Sequence, residues 1–132
     1  MGQTSTHNYS GNLTLTAADP TIFDSGDPLL VALGAAAGEV VVAGAADAIG
    51  VFQERLQGGD GNNAQVNVRL LNAGGTIRVK TGGAIAYGAA VSATTGGLAV
   101  TGTANLIGTY FGPDAGDGDI IEIITNPAAT SV

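Results

Sequence analysis

The sequence contains no cysteine and no tryptophan, and it has one histidine, His7, and one lysine, Lys80. The absence of cysteine excludes disulfide bonds, thiolate zinc sites and cysteine nucleophiles. Lysine and arginine together number 4 against 11 aspartates and glutamates, which gives a net charge of −7. Nucleic acid and anionic membrane surfaces both require clustered cations, and no apolar run has the length of a membrane span. We therefore expect neither nucleic acid nor a membrane among the partners.

Catalytic motifs are also missing from the sequence. No serine lies in a G-x-S-x-G elbow, and no G-x-x-x-x-G-K-[ST] loop is available to bind a nucleotide phosphate. His7 lies in a polar stretch that would not hold it beside an acid or a nucleophile. Asp117 and Glu122 are the default candidates for a glycosidase-like carboxylate pair. We predict that the protein is not an enzyme and that it has no catalytic residues and no cofactor.

Two acidic or amide-rich loops, GGDGNN at residues 58–63 and PDAGDGD at residues 113–119, raise the question of calcium. Neither loop has the oxygen-ligand spacing of an EF-hand. Asp-Gly and Gly-Asn are typical of hairpin turns. The sequence therefore predicts turns at both places and no metal site.

The length of 132 residues suits a single domain with little bulky material for its core. Glycine and alanine, with 22 copies each, make up a third of the chain, whereas phenylalanine and tyrosine number three each. Burial of apolar area, at about 25 cal/mol per Å², depends on large side chains. We therefore expect a partner or self-association to complete the stability of the fold.

Short β-branched runs separated by glycine follow one another along the chain. Residues 66–70 and 77–80 alternate apolar and polar side chains, as strands with one buried face do. Strands of this length with turns every 8–12 residues indicate an all-β fold, a small closed barrel or a sandwich. Residues 29–37 are compatible with a short helix or with a strand and turn, and Pro28 and Gly34 favour the latter.

An internal sequence repeat, called the echo below, is the most informative feature of the sequence. The segments AADAIGVF at 45–52 and TANLIGTY at 103–110 align without gaps at an offset of 58. Such self-similarity predicts two similar β-modules, at about residues 26–72 and 84–126. We expect residues 74–83 to form a strand that joins the modules, and both modules to pack as one closed sheet.

The first 22 residues are predicted to be an extended N-terminal arm, and residues 23–132 a single β-domain. The arm begins with small polar residues, and its first alternating pattern, Leu-Thr-Leu-Thr, would suit a strand added to the edge of a partner's sheet. The candidate binding residues of the arm are Tyr9, Leu13, Thr14, Leu15 and Thr16.

Residues 76–126 resemble the small capsid decoration, or cement, proteins of tailed bacteriophages. The shared elements are GGAI followed by Gly88, an Ile-Gly pair before an aromatic residue at 107–110, and GDIIEI at 118–123. Members of this family are often labelled as phage recombinases. That label requires a phosphate-binding loop and a basic DNA-facing surface, and this sequence has neither.

The resemblance implies a β-barrel-like subunit on the outer surface of an icosahedral head, made in the host cytoplasm. It implies binding to the major capsid protein as a trimer, or sometimes a dimer, at capsomer junctions, where the subunit would clamp adjacent capsomers and stabilise the expanded shell. The alternative is a glycan-binding or adhesin module that uses Tyr87, Tyr110 and the acidic loops.

Overall fold

The computed structural model describes residues 11–44, 47–55, 65–73 and 75–125. These residues form ten β-strands, named β1 to β10 in chain order, and two short 3-10 helices, at Pro20–Phe23 and Leu71–Ala73. The first five strands are Asn12–Ala17, Leu30–Leu33, Glu39–Val42, Gly50–Arg55 and Gln65–Leu70. The second five are Thr76–Lys80, Ala90–Thr94, Leu98–Thr101, Leu106–Tyr110 and Ile120–Thr125.

The prediction of an all-β fold with two similar modules is confirmed. Strands β1 to β5 form a closed barrel in the order β1-β3-β2-β4-β5. Strands β6 to β10 form a second sheet in the order β6-β10-β9-β7-β8. A parallel bridge between Thr81 and Ala99 joins the two ends of that sheet, and the amide of Gly82 donates to the Ala99 carbonyl over 2.8 Å. Both modules therefore have one topology, which includes a parallel closure next to the first strand.

Two details of the predicted repeat are wrong. The strand predicted to join the modules, within residues 74–83, is β6, the first strand of the second module, and it corresponds to β1 in the first. The modules also do not share one closed sheet, because each sheet surrounds its own interior.

The interior of the first barrel is small and fully apolar. Phe23, from the first 3-10 helix, stacks on Phe52 of β4 with a centroid separation of 4.6 Å. The cluster consists of Ala17, Phe23, Val31, Val40, Phe52, Val66 and Val68. Mostly β-branched side chains of moderate size fill this barrel, as the composition led us to expect.

The second cluster fills the second sheet and also holds the two modules together. Leu30, Ala32 and Val51 come from the outer face of the first barrel and pack with Val79, Val91 and other residues of the second module. The backbone supports this contact, because the amide of Leu30 donates to the Gly97 carbonyl over 2.8 Å. Strand β2 is therefore buried on both faces, with Leu30 facing one core and Val31 the other.

The echoed Ile-Gly pair has a steric cause. Gly50 of β4 lies so close to β5 that an added Cβ would be 2.5 Å from the Arg69 carbonyl oxygen. Gly108 of β9 has the same position in the second module, where a Cβ would collide with the Ile124 carbonyl oxygen of β10. Each module therefore needs a glycine where its fourth strand crosses its fifth.

Residues 29–37, which were open between helix and strand, form β2 and a turn. Glu39 begins the next strand after Gly38, whose positive φ of 74° suits glycine.

Within the described ranges, no helix is long and apolar enough to span a membrane.

Candidate interaction site

The structure differs from the predicted N-terminal arm over the residues it describes. Strand β1 is part of the barrel, with an antiparallel register against β5 from Asn12↔Arg69 to Thr16↔Gln65. Its other edge pairs in parallel with β3 at Ala17↔Val40. Strand β1 is thus paired with β5 along its length and with β3 at its end, so it is a wall strand of the barrel and not part of a separate arm.

The same register determines which face of the barrel wall each side chain of β1 lies on. Leu13 and Leu15 lie opposite Val68 and Val66, which are fully buried in the barrel. Directly opposed residues share one face of a sheet, so both leucines face the barrel interior, with Leu13 37% exposed at its end.

The threonines of β1 lie on the opposite face of the barrel wall. Thr14 is exposed and Thr16 is half-buried. Tyr9 lies outside the described residues. A role of these five arm residues in binding stays a prediction.

A cleft of about 490 Å³ lies between the two modules. Residues of β4 and β5 form one wall, and residues of β6 and β10 form the other. The apolar part of its lining includes Pro28, Val51, Phe52, Ile77 and Ile120. The polar part includes Gln53, Arg69, Thr76, Arg78 and Glu122.

Charged side chains of both signs lie at this cleft, because Glu122 lines it together with two arginines. Arg69 and Arg78 line it, and Lys80 lies two residues beyond Arg78 on the same strand. Lys80 Nζ lies 2.7 Å from Asp27 Oδ2, and both side chains are about two-thirds buried. The hydrogen bond from Lys80 lowers the pKa of Asp27. Three of the four basic residues are thus at or beside the cleft.

Strand β6 pairs with β10 on one edge, and its other edge faces β8, to which the Thr81–Ala99 bridge joins it, and lies near β4 of the first module. Its register with β10 pairs Val79 with Ile121, and beyond the strand's end the amide of Thr81 donates to the Asp119 carbonyl over 2.8 Å. Hydrogen-bonded pairs alternate along an antiparallel ladder, so odd-numbered residues of β6 bond to β10. The amides and carbonyls of Thr76, Arg78 and Lys80 point the other way.

On the edge of β6 that faces away from β10, the amide of Lys80 donates a hydrogen bond to the Pro28 carbonyl over 3.1 Å. For Thr76 and Arg78, no strand partner on that side exists among the described residues. Glu122, on β10, lies directly opposite Arg78 and accepts a hydrogen bond of 2.5 Å from the Thr76 hydroxyl. The candidate catalytic carboxylate of the sequence is therefore part of the outer face of this sheet.

Sequence reasoning missed this cleft. The pattern Arg-Val-Lys at 78–80 was interpreted only as strand alternation. One signal was present, because two of only four basic residues alternate on one strand of an acidic protein. The partner wall could not be foreseen, since Arg69 belongs to the other module.

The aromatic residues of the glycan alternative do not form a joint platform. Tyr110 is 6% exposed, and its hydroxyl donates to the Pro113 carbonyl over 2.5 Å. Tyr87 is 71% exposed, and its amide donates to Asp114 Oδ1 over 3.0 Å. Tyr110 is thus a core residue that cannot stack on a sugar, and the alternative keeps only Tyr87 and its surroundings.

The acidic loop at residues 113–119 contains a turn at Gly116–Asp119, but it lies in a long connection from β9 to β10, whose first pair is Tyr110↔Ile123, and is not the short hairpin turn that the sequence predicted. Asp119 Oδ2 accepts a hydrogen bond of 2.7 Å from the amide of Gly116. The Thr81 hydroxyl donates to the Gly116 carbonyl over 2.6 Å and accepts from the Asp119 amide over 2.9 Å. These bonds fix the loop against the end of β6. The other loop, at residues 58–63, lies outside the described residues.

Comparison with known proteins gives a single type of finding. No protein-family model matches the sequence, and no curated protein matches it. Among solved structures, the fold is similar to the crystal structure of the head fiber gp8.5 N base in bacteriophage phi29, with a TM-score of 0.65 and 19% sequence identity. The match covers 87% of this chain and 92% of that one. The chain thus has the fold of a phage head-fiber base over nearly its whole length.

Proposed function

We propose that the protein is a structural protein of a phage head, which decorates the outer surface of the capsid and clamps adjacent capsomers. The observation that carries the proposal is the fold match to a phage head-fiber base, which extends over both modules. A match over only one barrel would be a weaker argument, because small barrels occur with many functions.

The sequence supports the same role from a second direction. Residues 76–126 resemble phage capsid decoration proteins, and these residues form the whole second sheet. The net charge of −7 suits a protein that is crowded on a particle surface, since like charge opposes aggregation.

Decoration of this kind needs binding rather than chemistry. A subunit that binds only the expanded shell stabilises it by mass action, by about 2.7 kcal/mol per site at a free concentration 100 times Kd. If the subunit is a trimer, or a dimer, several capsid contacts form at once, and the affinity of the whole exceeds that of each contact. We propose the trimer as the assembled form and the major capsid protein as the partner.

The test uses expanded heads prepared without this protein. Added protein should sediment with the heads to a fixed copy number, lie at capsomer junctions in cryo-electron microscopy, and raise the temperature at which the heads break. Unexpanded heads, incubated in parallel, should bind much less. Failure to bind expanded heads at micromolar protein would refute the proposal.

The predicted arm is tested in the same assay. Deletion of residues 2–10 leaves every strand of the barrel in place, whereas a deletion through residue 18 would remove β1. If Tyr9 and its neighbours bind the capsid, the shorter deletion should lower occupancy while the circular dichroism spectrum stays unchanged. Unchanged occupancy would exclude that role for residues 2–10.

A further inference from the structure

Two loops at one end of the second module carry exposed aromatic side chains. Residues 81–89 join β6 to β7, and residues 111–119 join β9 to β10; together they are the paired loops. Ile85 and Ala115 link them by exchanging both backbone hydrogen bonds, over 3.0 and 2.8 Å. Tyr87 in the first loop is 71% exposed, and Phe111 in the second is 46% exposed.

The backbone holds these two aromatic residues on neighbouring segments. The amide of Gly88, next to Tyr87, donates to the carbonyl of Tyr110, next to Phe111, over 2.8 Å. The amide of Tyr87 itself donates to Asp114 Oδ1 over 3.0 Å. A side chain on a backbone that is already ordered loses less conformational entropy on binding. Tyrosine is also enriched among the few residues that dominate the energy of protein interfaces.

The charge around the two rings is of one sign. The paired loops contain no basic residue, and their three carboxylates are all exposed, at Asp114, Asp117 and Asp119. Lys80 is the last basic residue of the sequence, and it is held by Asp27 over 2.7 Å. Arg78, on the same strand, has Glu122 directly opposite. The paired loops therefore form an anionic surface with exposed aromatic rings.

We propose that the paired loops dock on a basic surface of the capsid protein with Tyr87 as the anchor, an inference that rests on the proposed function. Arginine or lysine side chains of the partner would pair with the three carboxylates, which steers the approach and fixes the orientation. The same cations are attracted to the faces of aromatic rings. Phe111 would add apolar contact beside the anchor, and the second module would face the shell.

Other occupants fit this surface less well. A second copy would bring the carboxylates of two paired loops together, and like charges facing each other oppose association. Small-ligand sites, such as those for sugars, are concave. Residues 86–88 are exposed in succession, and neither Tyr87 nor Phe111 lines the cleft between the modules. Charge complementarity therefore favours a basic protein surface.

Four variants form two matched pairs. Tyr87→Ala removes the anchor and keeps the amide that bonds to Asp114. Leu33→Ala is its control, because Leu33 is a 62% exposed apolar residue of the first module. Asp117→Asn removes an exposed carboxylate of the paired loops, and Asp47→Asn removes an exposed carboxylate of the first module. Both substitutions change the net charge by the same amount.

The first measurement is the affinity for expanded heads by sedimentation. Tyr87→Ala should weaken binding by about tenfold or more, as loss of an interface anchor does, and Tyr87→Phe should restore it. Asp117→Asn should weaken binding by about threefold, as loss of an exposed ion pair does, and should flatten the dependence on salt. Leu33→Ala and Asp47→Asn should bind as the natural protein does. All variants should keep the native circular dichroism spectrum.

The second measurement identifies the partner by photo-cross-linking on heads. Tyr87→p-benzoylphenylalanine should form an adduct with the capsid protein, at a peptide that mass spectrometry shows to contain lysine or arginine. Leu33→p-benzoylphenylalanine should form little or none. An adduct with a second copy of this chain, or equal yields from the two positions, would overturn the inference. This measurement decides the question also if Tyr87→Ala does not fold.

The two measurements separate this inference from the proposed function. If the natural protein binds expanded heads and a natively folded Tyr87→Ala binds equally well, the inference is wrong and the proposed function stands. If Tyr87→Ala loses binding while Leu33→Ala keeps it, both are supported. If the natural protein does not bind expanded heads, the proposed function is refuted, and docking on the capsid protein is refuted with it.

Discussion

Replacement of the two echoed glycines by alanine should destabilise both modules by the same mechanism. In Gly50→Ala, the new Cβ would lie 2.5 Å from the Arg69 carbonyl oxygen and 2.7 Å from Val68 Cγ1. In Gly108→Ala, it would meet the Ile124 carbonyl oxygen, with Ile123 Cδ1 at 3.1 Å. Backbone atoms of a paired strand cannot rotate away, so the strands must separate locally.

The expected loss follows from the cost of overpacking, about 1–3 kcal/mol per site. It is reduced by the gain of about 0.4–1 kcal/mol that alanine gives by restricting the unfolded chain. We therefore expect each variant to be less stable by about 1–2 kcal/mol in urea unfolding, with an unchanged slope. The two losses should add, because the sites contact different strands and lie in different modules.

Gly83→Ala is the matched control, because the nearest described atom to its new Cβ is Val100 Cγ1 at 4.0 Å. This variant should be as stable as the natural protein or gain up to about 1 kcal/mol. If Gly50→Ala and Gly108→Ala unfold at the same urea concentration as Gly83→Ala, close approach of the fourth and fifth strands is not the reason for the echo.

Two further predictions concern the joint between modules and the barrel core. Asp27→Asn should lower the free energy of unfolding at neutral pH. The pKa of Asp27 in the folded protein is lowered, mainly by its hydrogen bond from Lys80, so the charged carboxylate stabilises the fold above the unfolded pKa of 3.8. This stabilisation is lost as pH falls through the lower folded pKa, and the difference between the variant and the natural protein should therefore shrink at acidic pH. A deficit that is equal at pH 7 and pH 2.5 in urea titrations would contradict this assignment. Phe52→Ala should cost about 3–5 kcal/mol because this ring is 2% exposed and stacked on Phe23, whereas Phe111→Ala, at a ring 46% exposed, should change stability by less than about 1 kcal/mol. Similar losses for both variants would mean that Phe52 is not the centre of the barrel core.

Much of the local structure could be predicted because it depends on neighbouring residues. The alternation at 66–70 and 77–80 predicted β5 and β6, and the echoed Ile-Gly pair predicted two modules. The Leu-Thr alternation of the presumed arm likewise predicted a strand near its observed position. What failed was the partner of that strand, because pairing between β1 and β5 joins residues more than 45 positions apart.

The module boundaries and the cleft could not be predicted for the same reason, because both depend on residues that are far apart in the sequence. Strands β1 and β6 share an alternating pattern but begin 64 positions apart, whereas the echo has an offset of 58. A gap-free repeat search therefore could not align them. The cleft depends on how Arg69 and Arg78, from different modules, meet across the joint, and no local pattern contains that relation.

The double burial of β2 has a consequence for how the molecule denatures. Leu30 and Val31 are neighbours in sequence, yet each is completely enclosed by a different cluster. Neither module can unfold without exposing one face of this shared strand to solvent. The protein should therefore unfold in a single cooperative step, with both modules together. A single module expressed alone would expose that apolar face to solvent. We expect such a fragment to aggregate and not to fold as a smaller domain.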